Sequence, residues 1–310
     1  MQFYKDAELR WGEIYVKSTD TRLPLDAAMA LGIFRQLILF LVIQFIFCLR
    51  YITGNRAPYT IGWVPARPKP WYKIWNVTKW MGFRYADDYA ACDVLFYFDD
   101  KTHGTIDDDV LGSNKKILNG RCTDISKSRV EDVFEQVFGY SLAVDPTTYT
   151  GKVVQKSQEN AKHDGRIINC PIEKAEPGDS YQRFIENCYD GKVVEDIRVP
   201  VVGNAIPLVY LKRRPLAIRF DNENKEAVMV ETVEALSQSE VDQLLAFSRE
   251  MGLDFGGLDV LRCRTSGKIF VVDVNKTDMG PPIPLKTTDK FRALTRLGRA
   301  FVGLVAEKVA

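Results

Sequence analysis

An α+β architecture is expected from three features of the chain. Short apolar runs bounded by Gly, Asn and Asp recur from Asp93 to Asn275, and several lead straight into a turn. Helix-period stretches with capping sequences stand among them, opening at Ser128-x-x-Glu131 and Ser237-x-x-Glu240. A separate apolar and basic segment precedes both. The 310 residues are 46% apolar and 27% charged, which suits a folded chain of two or three subdomains and excludes disorder.

The first segment, residues 1–85, is expected to be helical, basic and Trp-rich. Leu31 to Leu49 is almost wholly apolar, and its unbroken part, Leu37 to Leu49, has 13 residues. As a helix that is roughly 20 Å, short of the ~20 residues a membrane span needs. Apolar side chains fall all round it, so it is buried in protein or in lipid. Trp63, Trp71, Trp75 and Trp80 follow, interleaved with Arg67, Lys69, Lys73 and Lys79. No Asp or Glu occurs from Ala27 to Ala86, whereas eight Lys and Arg do, in a chain whose net charge is +1. Tryptophan with basic residues beside a short apolar helix is the composition of a membrane-interface anchor. Residues 27–86 are therefore expected to face an anionic membrane surface, on the cytoplasmic side, as a peripheral or monotopic attachment. A core helix with a Pro-rich wrap has the same composition. No nucleic-acid-binding motif accompanies the basic residues, so no nucleic-acid partner is expected.

Six scattered cysteines with no C-x-x-C pair, and two histidines, give no zinc spacing and no His-based metal site. Residues 86–145 read as an α/β region. Asp93 to Phe98 is a strand, and the acidic cluster after it is a solvated loop. Lys101 and His103 stand where a calcium loop needs oxygen ligands. The helix from Ser128 stops at Gly139. Residues 146–215 hold strands: Lys152 to Lys156, Tyr181 to Asn187, Asp196 to Val202 and Val209 to Arg214, with turns at Asp190-Gly191 and Gly203-Asn204. Residues 216–310 hold the helix from Ser237, two further strands and a last helical stretch from Asp289 to Val309.

Those two strands carry the most legible chemistry. Gly256 to Arg262 and Phe270 to Asn275 flank a turn, Thr265-Ser266-Gly267-Lys268, so a hairpin sets Asp259 beside Asp273. Side chains alternate along a strand, so Asp273 and Asn275 share a face. Two carboxylates and an amide oxygen form a hard-oxygen site of the kind that holds Mg²⁺ against nucleotide phosphates.

The order of these pieces resembles the ATP-grasp superfamily, most closely its RimK-type glutamate/amino-acid ligases. A lysine follows Asp124-x-x, and a strand ends in Lys156. Then come a loop with Gly165, Gln182-x-Phe184-Ile185, Asp196-Ile197-Arg198, a basic strand end, Gly256-Gly257-x-Asp259 and Asp273-x-Asn275. The match covers roughly residues 119–284. It implies two α+β subdomains gripping ATP, with a lid and hinge in 146–215 and a metal-binding subdomain in 216–310. Lys127 and Lys156 would contact the α- and β-phosphates. The backbone around Gln182, Arg183, Phe184 and Ile185 would line the adenine. Asp259, Asp273 and Asn275 would hold two Mg²⁺ ions, with Mn²⁺ as a substitute, and Arg198 and Lys212 would face the triphosphate or acyl-phosphate as catalytic groups. The chain departs from the family in four places, one being that the Arg-rich stretch for the acceptor substrate is hard to find after Arg219. Asp273 stands where a Glu is usual, Arg183 replaces the hinge acid, and the loop after Lys156 holds Asn160 and His163 with the single Gly165; His163 would bond a phosphate there. The resemblance implies an ATP- and Mg²⁺-dependent carboxylate–amine ligase acting through an acyl-phosphate on small-molecule or lipid-like carboxylates and amines. A kinase of the same fold acting on a polyol or lipid headgroup, and a membrane-surface ATP-binding module without turnover, are the alternatives.

Overall fold

The computed structural model describes residues 7–16, 21–24, 27–159, 162, 164–220 and 224–310. Strands β1 (Ala7–Arg10), β2 (Glu13–Val16) and β3 (Thr21–Pro24) form a small antiparallel sheet. Helix α1 (Ala27–Thr53) follows; its stretch Phe34–Thr53, with mean hydropathy 1.9, is long and apolar enough to cross a membrane by length and composition.

A parallel sheet comes next, built from β4 (Thr60–Pro65), β5 (Arg84–Tyr85), β6 (Val94–Phe98) and β7 (Ile117–Leu118) in the order β5-β4-β6-β7. Helix α2 (Lys73–Met81) joins β4 to β5 and ends on Gly82, whose φ of 75° a side chain would resist. This sheet runs across the division expected at residue 85. It also removes part of the expected interface anchor from the surface. Trp63 and Trp75 are buried in the core beneath the sheet, and Trp80 donates to Thr295 Oγ1 while stacking on Phe291. Tryptophans need an apolar body and one polar partner, and a protein interior supplies both as well as a membrane does. Lys73, counted from sequence among the basic surface, is 1% exposed. Asp99, assigned to a solvated loop, is buried and accepts from the Tyr97 hydroxyl at 3.0 Å.

Helix α3 (Lys127–Phe138) is capped by Ser126, whose hydroxyl accepts from Arg129 N, and ends at Gly139. The expected cap at Ser128 is therefore two residues late. Glu131, its supposed partner, turns inward instead. Strands β8 (Gly151–Ser157), β9 (Arg166–Cys170) and β10 (Asp179–Arg183) make an antiparallel sheet, ordered β10-β8-β9. Strands β11 (Val193–Val202), β12 (Val209–Pro215), β13 (Glu226–Val230), β14 (Phe255–Arg262) and β15 (Ile269–Asn275) make a five-stranded antiparallel sheet, ordered β13-β12-β11-β14-β15. Helix α4 (Gln238–Glu250) opens with the expected capping box of Ser237 and Glu240, and packs with α3 over this sheet.

Helix α5 (Thr287–Val309) closes the chain and packs Leu297 and Phe301 into the core of the parallel sheet. Asn119, at φ 58°, adds a polar tie: its side chain donates to Phe255 O and accepts from the backbone N–H groups of Asp254 and Phe255, each at 2.8 Å. The start of β14, and with it Asp259, is thereby fixed against the parallel sheet.

Candidate functional site

The β14–β15 hairpin aligns Asp259 directly with Asp273, and Gly257 with Asn275. The register then slips between Asp259 and Val260, so Val272 is the extra residue of a bulge. A bulged residue leaves the ladder, and the Val272 carbonyl accepts from Lys156 Nζ at 3.1 Å instead. Lys127, at the first turn of α3, donates to Asp273 Oδ1 at 2.6 Å. Lys212 of β12 donates to Asp259 Oδ1 at 3.0 Å, and Asn275 Nδ2 donates to Asp259 Oδ2 at 3.2 Å. The hairpin thus brings together the carboxylates, the amide and three lysines from three other elements.

Arg198, opposite Asp259 on the neighbouring strand β11, lies beneath this group. One guanidinium nitrogen donates to Asp259 and the other to Asp278 Oδ1, at 2.6 Å for the latter. Asp278 in turn is ion-paired with Lys73 of α2, both side chains being 1% exposed. Asp278 was not singled out from sequence, and Lys73 only as one of the basic residues of the first segment. Asp278 lies three residues beyond Asn275, but its partner is 205 residues away, and nothing local marks the pair. Glycine at 257 makes room for the bridge: a Cβ there would press on Asp278 and lie 2.9 Å from Arg198 Nε.

Electrostatics follows from these contacts. Burial opposes ionisation of Asp259, and the adjacent Arg198 and Lys212 overcome it, holding the carboxyl far below the usual range. Burial, reinforced by the charge of Lys127, lowers Lys156 to about 8. Burial raises Glu131, although its Oε1 accepts from Ser180 and, at 2.7 Å, from Gln182 Nε2. These bonds tie α3 to β10.

Between the two antiparallel sheets lies a cleft of about 210 Å³ lined by Lys127, Lys156, Gly165, Gln182, Arg183, Ile185, Lys212, Asp259 and Asp273. Its walls are mixed. Val154, Ile185, Phe220, Leu261 and Val272 give apolar surface, while the lysines and carboxylates give charge. Phe184 does not line it; its ring instead packs under Arg219, 4.4 Å from the guanidinium carbon. Arg219, another residue not singled out from sequence, also donates to Ile185 O and Asn187 Oδ1. Gly165 lets the loop approach Phe220, where a Cβ would sit 2.9 Å from the ring. His163 lies outside the described residues.

Among the described residues no three His, Cys, Asp or Glu side chains gather as a metal cage, so a metal here would need ligands from other sources. Two carboxylates and an amide oxygen are what Mg²⁺ uses when phosphate and water fill its remaining positions. Ser157 Oγ and Arg183 Nε, both on cleft-lining residues, are buried without hydrogen-bond partners. Such groups are costly to leave unpaired, so polar ligand atoms are the partners they fit.

Comparison with known proteins places the architecture. No protein-family model and no curated protein matches the chain. Among solved structures it is similar to the ATP-grasp ligase PsnB in complex with a phosphomimetic precursor variant, Mg and ADP. That pair has 11% identity and a TM-score of 0.50, covering 83% of this chain and 100% of that one. A RiPP-associated ATP-grasp ligase from Chryseobacterium gregarium aligns at 12% identity and a TM-score of 0.49, over 81% of this chain and 97% of that one. D-alanine–D-alanine ligase from Bacillus anthracis aligns at 11% and 0.49, with the same coverages. The chain has the ATP-grasp fold: two α+β units, one carrying the β8–β10 sheet and the other the five-stranded sheet.

Proposed function

We propose that the protein is an ATP- and Mg²⁺-dependent carboxylate–amine ligase, of the RimK-like kind. The observation that carries this reading is the convergence of Lys127, Lys156 and Lys212 with Asp259 and Asp273 on one cleft, with Asn275 donating to Asp259. In this reading residues 146–215 act as lid and hinge. Val154, Ile185, Phe220 and Leu261 receive the base near Gln182 and Arg183, and Lys127 and Lys156 hold the α- and β-phosphates. Asp259, Asp273 and Asn275 hold Mg²⁺, or Mn²⁺ in its place, which supplies charge neutralisation at the phosphates.

An acceptor carboxylate oxygen attacks the γ-phosphorus, the bond to the ADP oxygen breaks, and an acyl-phosphate forms. An amine then attacks the acyl carbon, phosphate leaves, and the amine loses a proton. Lys212 and Arg198 are suited to offset charge on the transferring group, because Asp259 holds both beside the cleft. No nucleophilic side chain is required. The substrates are a carboxylate and an amine of small-molecule or lipid-like character, met in the cytoplasm or at the inner face of a membrane.

The test is ADP release from the purified protein given Mg²⁺, ATP and a panel of amino acids and amine-bearing lipids. Amide product should appear with ADP. A stable phosphorylated product without amide would establish the kinase instead, and turnover undiminished in Asp259→Ala or Asp273→Ala would contradict the site.

A further inference from the structure

We infer that α1 is an in-plane membrane helix, its outer face resting in the surface of an anionic bilayer. This deepens the membrane side of the proposed function and does not depend on the ligase chemistry. The helix has two unlike faces. Inward, Leu39 and Ile43 are buried and Phe40 stacks on Trp75. Outward, Phe34, Leu41, Phe45 and Ile52 are 58%, 56%, 66% and 84% exposed. At about 100° per residue these four fall on one arc, with Leu37 and Ile38 beside it. An unbroken apolar strip of this length on water is the feature that marks a docking surface.

Three observations choose the occupant. The helix lies along the protein rather than leaving it. A methyl at Gly32, near one end, would stand 3.7 Å from Ile283 Cγ2; near the other, Arg50 and Arg56 pack on Gly82. Such a helix meets a bilayer by its side, not by spanning it. Second, there is no acidic residue from Ala27 to Ala86, and exposed Arg35 borders the arc. The charged side chain bordering the strip is thus a cation, which an anionic lipid surface complements and a second copy of the same face does not. Third, Ile283 and Met279, 64% and 60% exposed, add apolar surface in the loop that follows Asn275, where Ile283 lies beside Gly32 of the helix.

Flotation of the full chain with vesicles tests this, using phosphatidylcholine alone and phosphatidylcholine mixed with phosphatidylglycerol. The parent should float, more strongly with the anionic vesicles. Leu41→Glu/Phe45→Glu should reduce the floated fraction by about tenfold or more, given the apolar burial lost. Calorimetric Mg–ATP binding should be unchanged in that variant, which shows that it is folded. Asp259→Ala should lose Mg–ATP binding and float like the parent. A parent that stays with the unbound protein, a double variant that floats equally, or a dimer dispersed by the double variant without any flotation would overturn the inference. Flotation that persists in a protein unable to bind ATP would sink the ligase reading alone.

Discussion

Arg198 holds Asp259 with one guanidinium nitrogen and Asp278 with the other, so a carboxylate of the candidate metal site and a carboxylate buried against the N-terminal unit share one cation. Lys73 completes the chain from α2. The loop carrying Asp278 is docked by backbone as well: Lys73 N donates to Asp278 O, and Asn76 Nδ2 to Gly280 O. The parallel sheet therefore bears on the position of Asp259 through a defined set of charges.

Replacing Lys73 by Met should destabilise the protein by about 3–5 kcal/mol, since removing one partner of a buried pair strands the other. Denaturant melts measure this. A loss below about 1 kcal/mol would mean that Arg198 alone satisfies Asp278.

Gly257→Ala should cost about 1–3 kcal/mol, because its methyl meets Asp278 and Arg198 Nε and the bridge must shift. The same variant should weaken Mg–ATP binding through Asp259. Unchanged melting and unchanged binding would show that the bridge has slack.

Glu131→Ala removes the acceptor for Ser180 and Gln182, two buried donors on β10. About 1–3 kcal/mol per stranded group is expected in denaturant melts. Faster hydrogen exchange in β8–β10 than in the five-stranded sheet should accompany it; uniform exchange across both would contradict a local tie.

The pH dependence of stability should carry the signature of Lys156. Its folded pKa of about 8 lies below the 10.5 of an ordinary lysine. Below the lower value both states are protonated and the buried charge destabilises in full. Between the two the unfolded chain binds more protons, so stability rises with pH. Melts of the parent and Lys156→Met across this window should show the parent gaining on the variant as pH rises from about 8 to 10.5. Parallel profiles would contradict a buried charged amine.

Local chemistry made part of this legible in sequence. The hairpin, the Asp259–Asp273 alignment and the Ser237 cap each depend on residues close in the chain, where turn and strand rules operate. Lys127, Lys156 and Lys212 were reached through the order of motifs, and the fold brings Lys127 to Asp273, Lys212 to Asp259 and Lys156 to the Val272 carbonyl of the same hairpin. Long-range features were not legible. The tryptophans of residues 63–80 have a composition that suits a membrane interface and a protein core equally, and only the pairing of β4 with β6 buries Trp63. Lys73 reads as a surface charge until Asp278 is folded against it. Ser128 was the expected helix start, but Glu131 is drawn inward to Gln182 and Ser126 takes the cap.

Calorimetric titration of ATP into the protein, with Mg²⁺ and then with a chelator, tests the central claim most directly. Binding should require Mg²⁺ and should weaken by about a hundredfold or more in Asp259→Ala and in Asp273→Ala, the cost of losing a charged ligand. ATP binding that is indifferent to Mg²⁺, or undiminished in both variants, would contradict the assignment of this hairpin as the metal–nucleotide site.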